Sequence, residues 1–153
     1  MKSRSLWNIA AATMALGLAG CATVNDKALR LFSSEAQAFA IVNGQLLQGK
    51  LALLPDRTGN LSLTGNKEPI TSCSGLTRYE SSTAGSIDLR CNDGTAASLR
   101  YSLLSETRGY AYGVTAAGAA SVTFGMAPAQ AAAYLTVPPG KKLTVAGEGL
   151  DLQ

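Results

Sequence analysis

The chain has 153 residues, a length that holds one domain once a targeting segment is set aside. Its 13 Lys and Arg against 10 Asp and Glu give a formal charge of +3, and the only adjacent basic pair is Lys141-Lys142, so the footprint of a nucleic-acid binder is missing. Histidine is absent, which removes Ser-His-Asp and Cys-His nucleophile pairs and every imidazole metal ligand.

Lys2 and Arg4 open the chain, and Leu6 to Ala19 form an apolar stretch broken only by Asn8 and Thr13. This is the length of a signal-peptide core and short of the roughly 20 apolar residues a membrane span needs. It ends in Leu18-Ala19-Gly20-Cys21, a leucine and two small residues followed directly by cysteine. Those four residues resemble the lipobox of bacterial lipoproteins. The resemblance implies a signal peptide over residues 1–20, cleavage before Cys21, diacylglycerol on its sulfur and an acyl chain on the new amino terminus. Acyl burial at roughly 0.8 kcal/mol per CH₂ makes several chains a firm anchor. Ala22 stands where an Asp often marks inner-membrane retention, so the resemblance places the protein at the outer membrane, facing the periplasm. Without Lys2 and Arg4 the mature charge falls to +1, from 11 basic against 10 acidic side chains.

Residues 21–36 read as a lipidated tether, with Leu29, Phe32 and Ala36 at helical spacing. Residues 37–153 read as a single all-β domain, because short apolar runs alternate with Gly, Asn, Asp and Pro. Asn43-Gly44 predicts a hairpin joining Phe39-Ala40-Ile41-Val42 to a strand at Leu47. Leu47, Leu51 and Leu53 share one face, Pro55 to Gly59 turn the chain, and Leu61 and Leu63 return, with Leu53 set opposite Leu61 and Leu51 opposite Leu63.

If Cys21 carries lipid, Cys73 and Cys91 remain as an even pair in an oxidising compartment, where a disulfide is the default. A turn centred near Ser82 sets Cys73 opposite Cys91, Gly75 opposite Leu89 and Thr77 opposite Ile87, close enough for a bridge across one hairpin. A redox or zinc role for the pair fails, since there is no CxxC spacing and, with Cys21 lipidated, no further Cys or His to complete a zinc site. Asn92-Asp93-Gly94 then makes a three-residue loop with Gly94 left-handed, pairing Leu89 with Ala97 and Ile87 with Leu99. A calcium loop at these residues lacks the remaining ligands.

Ala97, Leu99, Tyr101 and Leu103 alternate, followed by Tyr110, Tyr112 and Val114, a turn at Gly118, and Val122, Phe124 and Met126. Pro128 opens a short helix over Ala129 to Tyr134. Pro138-Pro139-Gly140 ends it, and Leu143-Thr144-Val145 is expected to close the sheet as a last strand. About eight strands in meander order avoid exposed edges by closing into a small barrel or sandwich. The spacing of Cys73-Ser74-Gly75, Cys91 to Gly94, Gly109 to Gly113 and Phe124-Gly125 is similar to patterns in uncharacterised β-rich envelope lipoproteins, a likeness that brings no activity with it.

Gly109-Tyr110-Ala111-Tyr112-Gly113 offers two readings. Tyr110 and Tyr112 could stack on a sugar ring or peptidoglycan stem, or pack inward with hydroxyls at the core's rim, and the flanking glycines favour packing. Arg78, Arg90, Arg100 and Arg108 recur along the central strands, with Arg90 and Arg100 near Asp88 and Glu80 on the polar face; a small anion site is one reading, and solvated cross-strand ion pairs are the commoner outcome. Glu68, Glu80, Asp88 and Glu106 include no pair that spacing singles out for glycosidase chemistry. No phosphate loop, cofactor motif or metal set stands out, so neither a cofactor nor a catalytic residue is expected. These readings point to a non-catalytic, membrane-anchored accessory that is structural, assists assembly or binds an envelope protein. The alternative is a module for a small ligand, glycan or peptidoglycan, held inside the barrel or against Tyr110 and Tyr112, and a cell-wall enzyme ranks last.

Overall fold

The protein is described by a computed structural model covering residues 34–153. The expected signal peptide, the expected lipobox with Cys21, and the expected tether as far as residue 33 lie outside the described residues.

Eight antiparallel strands form a closed barrel in chain order: β1 (Ser34–Val42), β2 (Gln45–Leu53), β3 (Thr58–Thr64), β4 (Ser72–Tyr79), β5 (Ala84–Cys91), β6 (Ala96–Ser105), β7 (Arg108–Val114) and β8 (Ala119–Phe124). Each strand pairs with the next, and β8 returns to β1 through Ala38↔Phe124, Ala40↔Val122 and Val42↔Ala120. The all-β barrel expected from the alternation is therefore present, and closure leaves none of these eight strands with a free edge.

Turn chemistry explains much of the register. Asn43 and Gly44 both take positive φ (50° and 77°), the two-residue hairpin turn whose twist matches its strands, and Val42 pairs with Gln45. Gly94 (φ 86°) closes the three-residue loop after Cys91, and Leu89↔Ala97 and Ile87↔Leu99 pair as expected. Asp93 caps that loop, its Oδ1 accepting from the Thr95 N–H at 2.9 Å and its Oδ2 from the Thr95 hydroxyl at 2.8 Å. Those bonds hold the Asp93 carboxyl below its usual range, the backbone bond first.

Three expectations are corrected. β1 begins at Ser34, so residues 34–36, expected in a tether, belong to the barrel. Ala36 is a buried strand residue paired with Leu51 rather than part of a helix, because Ala36, Ala38, Ala40 and Val42 alternate inward. The β2–β3 pairing is displaced by two residues, with Leu51 opposite Leu61, Leu53 opposite Gly59 and Gly49 opposite Leu63. There the chain turns tightly: Leu54 N–H donates to the Thr58 carbonyl at 2.9 Å, and Arg57 adopts a φ of 66°. Asp56 stabilises this turn by accepting from the Thr58 N–H and hydroxyl at 3.0 and 2.6 Å. The greasy face is unchanged because a two-residue slip preserves parity. The third correction concerns Leu143-Thr144-Val145, which does not close the sheet. It forms β9 (Leu143–Ala146), paired only with β10 (Gly149–Leu152) in a separate hairpin.

The interior is filled by side chains from alternate positions. Leu47, Leu51, Leu61, Leu63, Ile87, Leu89, Leu99 and Val122 are essentially fully buried in one cluster. An eight-stranded barrel is just wide enough for such a filling, and each of these side chains contributes roughly 1.5–3 kcal/mol. Rings occupy one end: Tyr79 meets Tyr101 edge-on at 5.7 Å, and Tyr101 meets Phe124 at 6.2 Å. Inward glycines make room for them, since a Cβ on Gly109 would come within 2.6 Å of the Phe124 ring, and Gly85 lies under the Tyr101 hydroxyl. Cys73 and Cys91 face each other on β4 and β5 as expected, with Cα atoms 3.9 Å apart, and are joined as a disulfide on the inner face.

A second apolar cluster sits outside the barrel. The chain after β8 forms α1 (Pro128–Ala132), with Pro128 at its start as expected, and then the β9–β10 hairpin. Leu135, Leu150, Leu152 and Ala131 from this segment bury Phe39 and Ile41 on the outer face of β1. Gln48 locks the arrangement: its Oε1 accepts from the Leu150 N–H at 3.1 Å and its Nε2 donates to the Leu150 carbonyl at 3.0 Å. Gln37 adds a bond from its Nε2 to the Glu148 carbonyl at 2.7 Å.

Candidate functional site

The C-terminal segment packs over β1, leaving the outer faces of β3 to β6 exposed. Several of the positions there that point away from the leucine core are short and polar, among them Asn60, Ser62, Ser74 and Ser98. Because small side chains line it, the surface is recessed into an open groove of about 850 Å³ reaching from β3 across to Val114 at the end of β7. Leu76, Arg78, Asp88 and Arg90 also line the groove. Leu76 and Val114 are 54% and 75% exposed, large for aliphatic side chains, and both belong to this recess.

The four arginines noted in the sequence all project from the outer face. Arg100 pairs with Glu80 at 3.0 Å, both groups well exposed, which confirms the expected cross-strand contact. Arg108 Nε donates to the Ser105 hydroxyl at 3.1 Å. Asp88 accepts from Ser98 Oγ at 3.2 Å rather than from Arg90. Arg78 and Arg90 make no ion pair within 4 Å among the described residues, so two cations flank the groove unneutralised.

Tyr110 and Tyr112 do not pack inward, and that expectation is corrected. Parity on β7 sends Gly109 and Ala111 into the barrel, paired with Leu103 and Tyr101 of β6. Tyr101 and Phe124 already fill that level of the interior, so two more rings have no space there. Tyr110 instead stacks on Tyr134 at 4.8 Å with the rings 22° apart, pinning the end of the helical segment to the barrel. Tyr112 touches Tyr110 at 5.4 Å and remains 44% exposed. Its hydroxyl is pushed above the ordinary tyrosine pKa, first by partial burial and then by the neighbouring phenols. Of the two, Tyr110 is spent on packing and Tyr112 is presented.

The carboxylates do not gather into one cleft. Glu68 sits in the β3–β4 loop at one end of the barrel, where its carbonyl accepts from Gln45 Nε2 at 2.8 Å. Glu80 and Glu106 lie in the β4–β5 and β6–β7 turns at the other end, and Asp88 is mid-strand on β5. Among the described residues no three His, Cys, Asp or Glu side chains are placed to hold a metal. A second cleft, of about 490 Å³, lies beside β10 and includes Lys67, Lys141 and Asp151. Its best-placed amides are already used, Gln45 by the β3–β4 loop and Gln48 by Leu150.

The groove residues Leu76 and Val114 were not singled out from sequence. The signal was available for Leu76: once Cys73, Gly75 and Thr77 are inward, an apolar residue between them must face water. The chain matches no family model, no curated protein and no solved structure.

Proposed function

We propose that the chain is a non-catalytic, lipid-anchored accessory protein of a bacterial envelope, and that its barrel binds a partner protein from the outside. The observation that carries this reading is the recessed outer face of β3 to β6, with aliphatic and cationic side chains turned to solvent over an interior filled by leucines. A barrel whose core is solid acts through its surface. The anchor rests on Leu18-Ala19-Gly20-Cys21, and a position at the outer membrane facing the periplasm follows from the same resemblance. The test is a photo-crosslinking residue placed in living cells at Leu76, Val114, Tyr112 or Gln153, with mass spectrometry of what is captured and of the acylated Cys21 peptide. A defined protein captured from one face supports the reading. No capture from any position, or an unacylated and soluble mature chain, overturns it.

A second reading has its own observation. Tyr112 presents a ring beside Tyr110, the kind of surface on which a sugar ring stacks. Retention of the protein on isolated peptidoglycan, abolished by Tyr112→Ala and unaffected by changes in the groove, would favour it over protein binding.

A further inference from the structure

Basic and acidic side chains balance within residues 34–153, nine of each, yet they are not evenly spread. β4 to β7 carry Arg78, Arg90, Arg100 and Arg108 on their outer face, with Asp88 as the acidic side chain within those strands. Arg100 is neutralised by Glu80. Arg78 and Arg90 are left to act together. Arg90 lies opposite Ser74, and Arg78 follows four residues further along β4, so the two are offset by about 13 Å along the strands at a rise of ~3.3 Å per residue, and by one strand across them. Leu76 lies between them, and Asp88 opposite Leu76 is engaged by the Ser98 hydroxyl.

We propose that this groove receives an extended segment of a partner protein bearing two carboxylates four residues apart with an apolar residue midway. The proposal rests on the protein-binding reading above and names the partner's chemistry. In an extended chain, residues i, i+2 and i+4 share a face and span the same 13 Å, so both carboxylates meet an arginine while the middle side chain covers Leu76. Asp88 at the centre repels a third carboxylate, so a uniformly acidic run fits worse than the alternating one. The hydroxyl and amide groups of Ser62, Ser74 and Asn60 face the groove and can pair with the guest's backbone. A recess of about 850 Å³ cannot be filled by a flat bilayer surface. A second copy docking through the same face would set arginine against arginine.

The test uses the full mature chain in detergent and three fluorescent peptides. They carry a Glu-Ser-Leu-Ser-Glu core, the same residues reordered as Glu-Glu-Ser-Leu-Ser, and a Lys-Ser-Leu-Ser-Lys core. Anisotropy should show binding of the first, at least about tenfold weaker binding of the second, and loss of affinity with added salt. The double variant Arg78→Glu/Arg90→Glu should lose the first peptide and gain the third. Both side chains are exposed, and an unchanged thermal transition verifies that the variant folds. Equal binding of the first two peptides, or loss without the gain, overturns the proposal. So does adsorption to phosphatidylglycerol vesicles or self-association abolished by the same double variant. If crosslinks in cells arise from Tyr112 or Gln153 but never from Leu76, the accessory reading stands and the groove proposal falls. If no protein is captured anywhere, both fall.

Discussion

Removing the cross-link between Cys73 and Cys91 tests how far the barrel depends on its staple. The bridge spans 18 residues of sequence. A loop of that length, left open in the unfolded chain, regains entropy equivalent to about 3 kcal/mol at room temperature. Single domains have total stabilities of about 5–15 kcal/mol, so the loss is a large share without being fatal. The barrel should stay folded with a thermal midpoint about 10–15 °C lower, given the usual scaling for a domain of this size. The variant is Cys73→Ala/Cys91→Ala, compared with the reduced and oxidised natural chain by urea unfolding. The reduced natural chain isolates the cross-link, and the alanine variant adds the loss of the buried sulfurs from the inner face. The denaturant slope should also rise on reduction, because the freed chain exposes more surface when unfolded. An unfolding free energy within about 1 kcal/mol of the oxidised protein would refute the reasoning, and would mean that the β4–β5 hairpin persists in the unfolded chain.

Tyr110 and Tyr112 should respond differently to truncation: Tyr110→Ala loses the stack on Tyr134 and about 2 kcal/mol of stability, whereas Tyr112→Ala stays within about 0.5 kcal/mol, both read by urea unfolding. Tyr101, 3% exposed, has its hydroxyl pushed up to about 12 by burial and then by neighbouring Tyr79 and Glu80. The unfolded chain ionises this group near pH 10 while the folded barrel keeps it neutral, so its contribution is complete below pH 10 and is lost as pH rises towards 12. Tyr101→Phe removes a hydroxyl with no hydrogen-bond partner among the described residues. It should therefore leave stability at neutral pH undiminished and flatten the alkaline fall, and an unchanged alkaline profile would contradict that assignment.

How much of this could be read beforehand depended on where the geometry is encoded. Asn43-Gly44 and Asn92-Asp93-Gly94 carry their turn conformations in residue type, and the parity of their loop lengths then sets which side chains face inward. Cys73, Gly75 and Thr77 followed from the turn centred near Ser82, which sets them opposite Cys91, Leu89 and Ile87. Arg57 shows the opposite case: nothing about an arginine announces a positive φ, so the β2–β3 turn read two residues too wide. The tyrosines misled for a different reason. The flanking glycines suggested the interior, but occupancy of the interior is decided by Tyr101 and Phe124 on neighbouring strands, which no local pattern reveals. The second cluster left one trace, since Phe39-Ala40-Ile41-Val42 is apolar on both faces, as a strand covered on both sides must be. The groove had none until the register was known, because a recess is made by what its small residues lack.

The Gln48 amide deserves comparison with a backbone. By offering one acceptor and one donor to Leu150 it imitates a single residue of a ninth barrel neighbour, and it does so from a side chain on β2. β10 is thus terminated by a plug one residue long. Another chain that sought to lengthen the C-terminal hairpin along β10 would first have to evict the plug and leave the Gln48 amide without its partners, so the molecule guards that edge of the hairpin against strand addition.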